Sequence, residues 1–81
     1  MSSRIDELRD IVADVLELDS VNIIDTADFV KKYNADSLRR IEIVSRIEMK
    51  YNIEIPDNEL PNMVTLQAVY TLVARYAGWQ D

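Results

Sequence analysis

The 81 residues include no cysteine and no histidine, a single glycine and two prolines. The lack of cysteine excludes a disulfide framework and a thiolate metal site. The lack of histidine removes the commonest general base and metal ligand, leaving carboxylates, lysines, tyrosines and hydroxyls for any chemistry. An independent hydrolase or metalloenzyme is therefore not expected. So few glycines and prolines leave little of the turn chemistry that an all-β chain requires, and helices are favoured. No stretch approaches the roughly 20 apolar residues of a membrane span. The opening segment, Met1 to Glu7, has acids where a signal peptide has an apolar run. A cytoplasmic protein with no membrane partner is expected.

The length fits a single domain spanning 1–81, with room for one core and none for a separately walled active-site cleft. Fifteen acidic against nine basic residues give a net charge of −6, which argues against a nucleic acid partner, because a phosphate backbone is bound through positive charge.

Along the chain, Ile5, Leu8, Ile11, Val12, Val15 and Leu16 recur at helical spacing and predict an amphipathic helix over residues 4–18, capped by Ser2 or Ser3. Residues 19–36 lose that period. Their Ile24 and Phe29 are expected to pack onto the rest, with a short turn at Asp25 to Asp28. Leu38, Ile41, Val44, Ile47 and Tyr51, broadened by Ile43, predict a second helix over 37–51. Ile53 to Asp57 reads as extended before Pro56, and Asp57 is positioned to cap a short helical turn reaching Leu60. Thr65 caps a last helix with Leu66, Val69, Leu72, Val73 and Tyr76 on one face, Val64 and Val69 as its staple and Gly78 as its end. The sum is an all-α fold, a four-helix bundle of three longer helices and one short one. Leu8, Val12, Leu16, Phe29, Val44, Ile47, Leu66, Val69 and Leu72 are the expected core.

Asp36 or Ser37 ahead of an apolar-periodic run is, in an ordinary protein, a helix N-cap. A helix start is also a favourable place for a phosphodiester, because its unpaired N–H groups and dipole end are positive. The residues around this point, Phe29-Val30-Lys31-Lys32-Tyr33-Asn34-Ala35-Asp36-Ser37-Leu38, resemble the acyl carrier protein family's approach to its modified serine, and Asp36-Ser37-Leu38 matches the attachment motif. Ile41-Glu42-Ile43-Val44, Glu54-Ile55-Pro56-Asp57 and Thr65-Leu66-Gln67-Ala68 fall where the family has similar residues, so the resemblance covers nearly the whole chain. Three common residues alone would mean little; the linked series is specific.

The resemblance implies a discrete, non-enzymatic carrier that is monomeric when free. A 4'-phosphopantetheine arm on Ser37, donated by coenzyme A through a phosphopantetheinyl transferase, would hold intermediates as thioesters. The partners would be an acyltransferase, ligase or ketosynthase. With no histidine beside it, Ser37 is an acceptor rather than a nucleophile in its own right. Asp36, Leu38, Arg39, Arg40, Ile41, Ser45 and Arg46 are the expected partner-binding positions.

Two features depart from the family pattern. Lys31, Lys32, Arg39, Arg40, Arg46 and Lys50 place six basic residues within 31–50, where carriers of fatty acid synthesis have acids. They are either solvated and internally paired or a docking face for a less basic partner, which would fit a polyketide or other specialised pathway. Asn34 replaces the usual glycine, a change a left-handed turn tolerates. Two other readings remain in view. A peptidyl or aminoacyl carrier shares the arm and differs in cargo, and a helical adaptor would leave Ser37 unmodified. An EF-hand built on Asp19, Asp25 and Asp28 fails for want of the alternating acids, central glycine and closing glutamate.

Overall fold

Four α-helices follow one another, α1 (Arg4–Leu16), α2 (Phe29–Tyr33), α3 (Ser37–Tyr51) and α4 (Leu66–Ala77), with 3-10 turns at Ser20–Asn22 and Asp57–Asn62. This is a computed structural model, and it describes residues 3–79. No strand occurs among the described residues.

The local chemistry explains where each helix begins. The Ser3 hydroxyl accepts the Asp6 N–H at 3.3 Å and caps α1, with Asp6 and Glu7 in the first turn complementing the dipole. The other candidate cap, Ser2, lies outside the described residues. Asp28 caps α2 through the N–H groups of Val30 and Lys31, and Thr65 caps α4 through Ala68 N–H at 3.0 Å. Every α-helix ends on a left-handed residue, and only one of these is glycine: Glu17, Asn34, Asn52 and Gly78.

One core joins the elements. Leu8, Val12 and Val15 of α1 meet Ile43, Val44 and Ile47 of α3 and Leu66, Val69, Leu72 and Val73 of α4, with Ile23, Phe29, Ala35, Ile55 and Met63 contributed from between them. Lys50 pairs with Glu7, Arg46 with Asp14 and Arg39 with Glu17, so residue numbers rise along α1 as they fall along α3. These two helices therefore run antiparallel, with ion pairs along their shared edge.

Four expectations need correction. The short α-helix is α2, while the segment after Pro56 is a 3-10 turn in which Asp57 makes no side-chain cap. Asp57 is exposed there, with Pro56 in the capping position. Ile24 is 50% exposed, and its neighbour Ile23 takes the core place instead. Leu16 and Tyr76 lie at the margin, Leu16 half-buried and Tyr76 turned outward so that its hydroxyl donates to Glu59 at 2.9 Å. The first helix stops at Leu16, short of residue 18, because Glu17 turns left-handed and the Leu18 N–H closes the helix on Ala13 O.

Candidate functional site

Ser37 is the first residue of α3, and three features hold it outward. α2 ends when Asn34 adopts φ 56°, ψ 35°, in the left-handed region that asparagine tolerates. The next residue, Ala35, is sunk into the core, with its N–H donating to Phe29 O at 3.1 Å. Asp36 then caps α3 by accepting the Arg39 N–H at 2.9 Å. With the corner pinned by Ala35 and the cap supplied by Asp36, the Ser37 side chain is exposed and has no structural duty. The N–H groups of Ser37 and Leu38, at the positive end of a 15-residue helix, meet no acceptor among the described residues. An esterified phosphate fits this position on sterics and on charge.

α3 carries two apolar faces. Ile43, Val44 and Ile47 point into the core, whereas Leu38, at 71% exposure, and Ile41, at 47%, stand on the opposite side with Ser45 and Met49. Spacings of three, four and four place 38, 41, 45 and 49 on one line, so an exposed stripe runs down the helix from the serine. Leu38 and Ile41, which share the helical period with Val44 and Ile47 and were expected among the partner-binding positions, stand exposed. Met49 was not among the expected positions, although its spacing of four from Ser45 continues the same line.

The basic residues divide sharply. Arg39 donates to the Val15 carbonyl and lies 3.3 Å from Glu17, supplying the C-terminus of α1 with the positive charge that its own last turn lacks. Arg46 pairs with Asp14 and, at 3.6 Å, with Glu42. Internal pairing thus accounts for Arg39, Arg46 and Lys50, and the repulsion between Arg39 and the positive dipole end of α3 is offset by its contacts at the end of α1. Lys31 and Lys32 remain exposed on α2. Arg40 differs from all of these. Its Nε is shut off from solvent without a hydrogen-bond partner, a situation that costs ~1–3 kcal/mol.

Beside the serine lies an open groove of about 450 Å³, with Ser37, Arg40 and Ile41 on one bank and Asp57, Leu60 and Pro61 on the other. Leu60 and Pro61 were not expected at the site; only the fold brings the 3-10 turn against the start of α3. Behind it is a packing gap too tight for a water molecule, lined by Phe29, Arg40, Ile43, Met63 and Val69. No group of three or more potential metal ligands gathers anywhere among the described residues.

The family model for the phosphopantetheine attachment site matches residues 6–73. The chain is 38% identical over 73 residues to polyketide-8 synthase acyl carrier protein 2 of Streptomyces avermitilis, covering 90% of this chain and 84% of the relative. It is 33% identical over 72 residues to the acyl carrier protein of Thermosynechococcus vestitus, covering 89% of each. A chain in the solved structure of the ishigamide ketosynthase/chain length factor superposes with a TM-score of 0.77 at 35% identity, covering 98% of this chain and all of that one. An exposed serine at a helix start, in a fold and sequence shared this widely, places the chain in the acyl carrier protein family. Members of this family carry a covalent 4'-phosphopantetheine and act as carriers rather than catalysts.

Proposed function

We propose that residues 1–81 form one carrier domain that catalyses no step itself and bears its 4'-phosphopantetheine on the Ser37 hydroxyl. The observation that carries this reading is the division of labour at the head of α3, where Asp36 does the capping and Ser37 stays exposed beside free backbone amides. When bound, the arm supplies a thiol that holds acyl groups as thioesters. The residues of this chain do the rest. Ser37 offers the oxygen that takes the phosphopantetheine from the phosphoanhydride of coenzyme A, adenosine 3',5'-bisphosphate leaving, and its proton goes to a base of the phosphopantetheinyl transferase, since no histidine exists here. The amides of Ser37 and Leu38 favour the phosphate charge.

The pathway we propose is of the polyketide type, supported by the names of the relatives and by the ketosynthase/chain length factor neighbour. The docking face is the stripe Leu38, Ile41, Ser45 and Met49, with Asp36 and Arg40 at its head. Arg39 and Arg46 border the stripe and, being paired to α1, present fixed rather than free charges to a partner. A cytoplasmic setting fits the absence of cysteine.

The reading is tested by loading the chain from an acyl-coenzyme A with a broad-specificity transferase and presenting it to a ketosynthase of a polyketide pathway. Acyl transfer to the ketosynthase is expected from the loaded chain, with none from Ser37→Ala. Equal transfer from both proteins, or none from a fully loaded chain, contradicts the proposed role.

A further inference from the structure

Eight large apolar side chains stand exposed among the described residues, and they are not scattered. Three belong to the stripe on α3, and four, Leu18, Val21, Ile24 and Val30, come from the segment 18–30. Single exposed apolar residues are ordinary, whereas a cluster of them on a fixed backbone marks a contact surface. This backbone is fixed. Ile23 is sunk in the core between Asn22 and Ile24, and the Tyr33 hydroxyl donates to Asn22 O at 3.1 Å while accepting Ile24 N–H at 2.7 Å. Val30 and Tyr33 lie three residues apart on α2, so the helix face that carries Val30 is the one fastened to residues 22–24. Val21, at 86% exposure, and Ile24, at 50%, are thus presented to solvent by a held segment, which lowers the ordering cost of docking.

Beside this patch, positive charge is in excess where it is free. Asp25 is paired with Arg9, Asp28 is engaged in capping α2, and Glu17 lies against Arg39. The side chains of Lys31 and Lys32 are exposed and unpaired among the described residues, against one carboxylate of the segment in the same condition, Asp19. A matching surface is apolar at its centre and acidic at its rim. The patch also adjoins Ser37. α2 leads to that serine through only Asn34, Ala35 and Asp36, and Arg39 reaches back to Val15 O and Glu17, just ahead of Leu18. An enzyme that admits the arm therefore meets both the α3 stripe and this patch. We propose that residues 18–24 and α2 form a second docking face, which seats an apolar, carboxylate-rimmed surface of the enzyme that takes the acyl group, while the α3 stripe meets the same enzyme. This rests on the carrier role proposed for Ser37 and adds to it a second contact and the chemistry of the partner.

The test measures acyl transfer from the loaded full chain to a polyketide ketosynthase and separates KM from kcat. Intact mass reports loading, and thermal unfolding reports the fold. Two double variants are set against the wild type: Val21→Ser with Ile24→Ser, and Lys31→Glu with Lys32→Glu. Both should fold, since all four side chains are exposed. Each is expected to raise KM about tenfold with kcat unchanged. Added salt should raise the wild-type KM, by screening attraction to the acidic rim, and lower that of the lysine variant, by screening repulsion. Unchanged KM in either loaded, folded variant overturns the second face and leaves the carrier reading intact. No transfer from the loaded wild type overturns both. Cosedimentation of the wild type with phosphatidylglycerol vesicles, lost in both variants, would assign the patch to a lipid surface and refute the proposal.

Discussion

Asp36 caps α3, and this leaves the Ser37 hydroxyl without a task in the fold. Adjacent substitutions should therefore separate. Asp36→Ala removes the bond to Arg39 N–H and should cost ~0.5–2 kcal/mol in urea unfolding. Ser37→Ala should stay within about 0.5 kcal/mol of the parent, as surface changes away from caps do. A larger loss for Ser37→Ala than for Asp36→Ala would show that the serine is structural. The pair was legible in the sequence as a motif, but which residue capped and which was free was not, because either side chain suits an N-cap. The neighbouring arginines were less legible. Arg39 and Arg40 are adjacent and identical in chemistry, yet one reaches the end of α1 and the other seals a gap above Phe29 and Ile43. Only a helix rotation of 100° per residue, set against known neighbours, tells them apart.

At the scale of elements, α3 and α4 were the readable ones. Each is long enough to repeat its period several times and has a polar side chain at its start, and their starts were expected at the residues where they occur. α2 was not seen, since five residues give hardly more than one turn and no period. It is held by tertiary bonds instead. Phe29 N–H donates to Val64 O at 2.8 Å, and the Tyr33 hydroxyl accepts Ile24 N–H at 2.7 Å while donating to Asn22 O at 3.1 Å. The long connection between α1 and α2 is thus tied at its middle by Tyr33 and at its end by α4, where Gln67 N–H meets Asp25 O at 3.0 Å. Tyr33→Phe should lower stability by ~0.5–1.5 kcal/mol and raise amide exchange at Ile24. Unchanged exchange there would mean that the hydroxyl does not hold the connection.

Across the whole molecule, ionisable side chains join elements near both ends of the pH scale. Ser3 and Arg9 hold the Asp6 carboxyl below its ordinary 3.8, and Asn62, Tyr76 and Arg75 hold Glu59 below 4.5. The unfolded chain takes up these protons first, so their contribution is complete above those values and is lost as pH falls through the lower folded values. Burial, followed by the nearby Glu7, pushes the Tyr51 phenol well above 10.0, and Glu59 raises Tyr76. The folded state then keeps protons that the unfolded state releases, and stability is lost as pH rises past 10.0. The urea midpoint should be nearly flat between these limits and decline outside them, with a weaker alkaline decline in Tyr51→Phe. An alkaline limb unaffected by that substitution would contradict the assignment.

The same whole-chain view explains why the fold class was readable and the groove was not. Patterning dictates helices one at a time, whereas the groove joins α3 to a 3-10 turn some twenty residues later. Incubation of the purified chain with coenzyme A and a broad-specificity phosphopantetheinyl transferase, followed by intact mass and peptide mapping, reads the Ser37 assignment without knowledge of any cargo. The expected outcome is a single phosphopantetheine on the peptide that carries Ser37 and none on Ser37→Ala. A chain that keeps its unmodified mass, or that is modified at a different side chain, contradicts it.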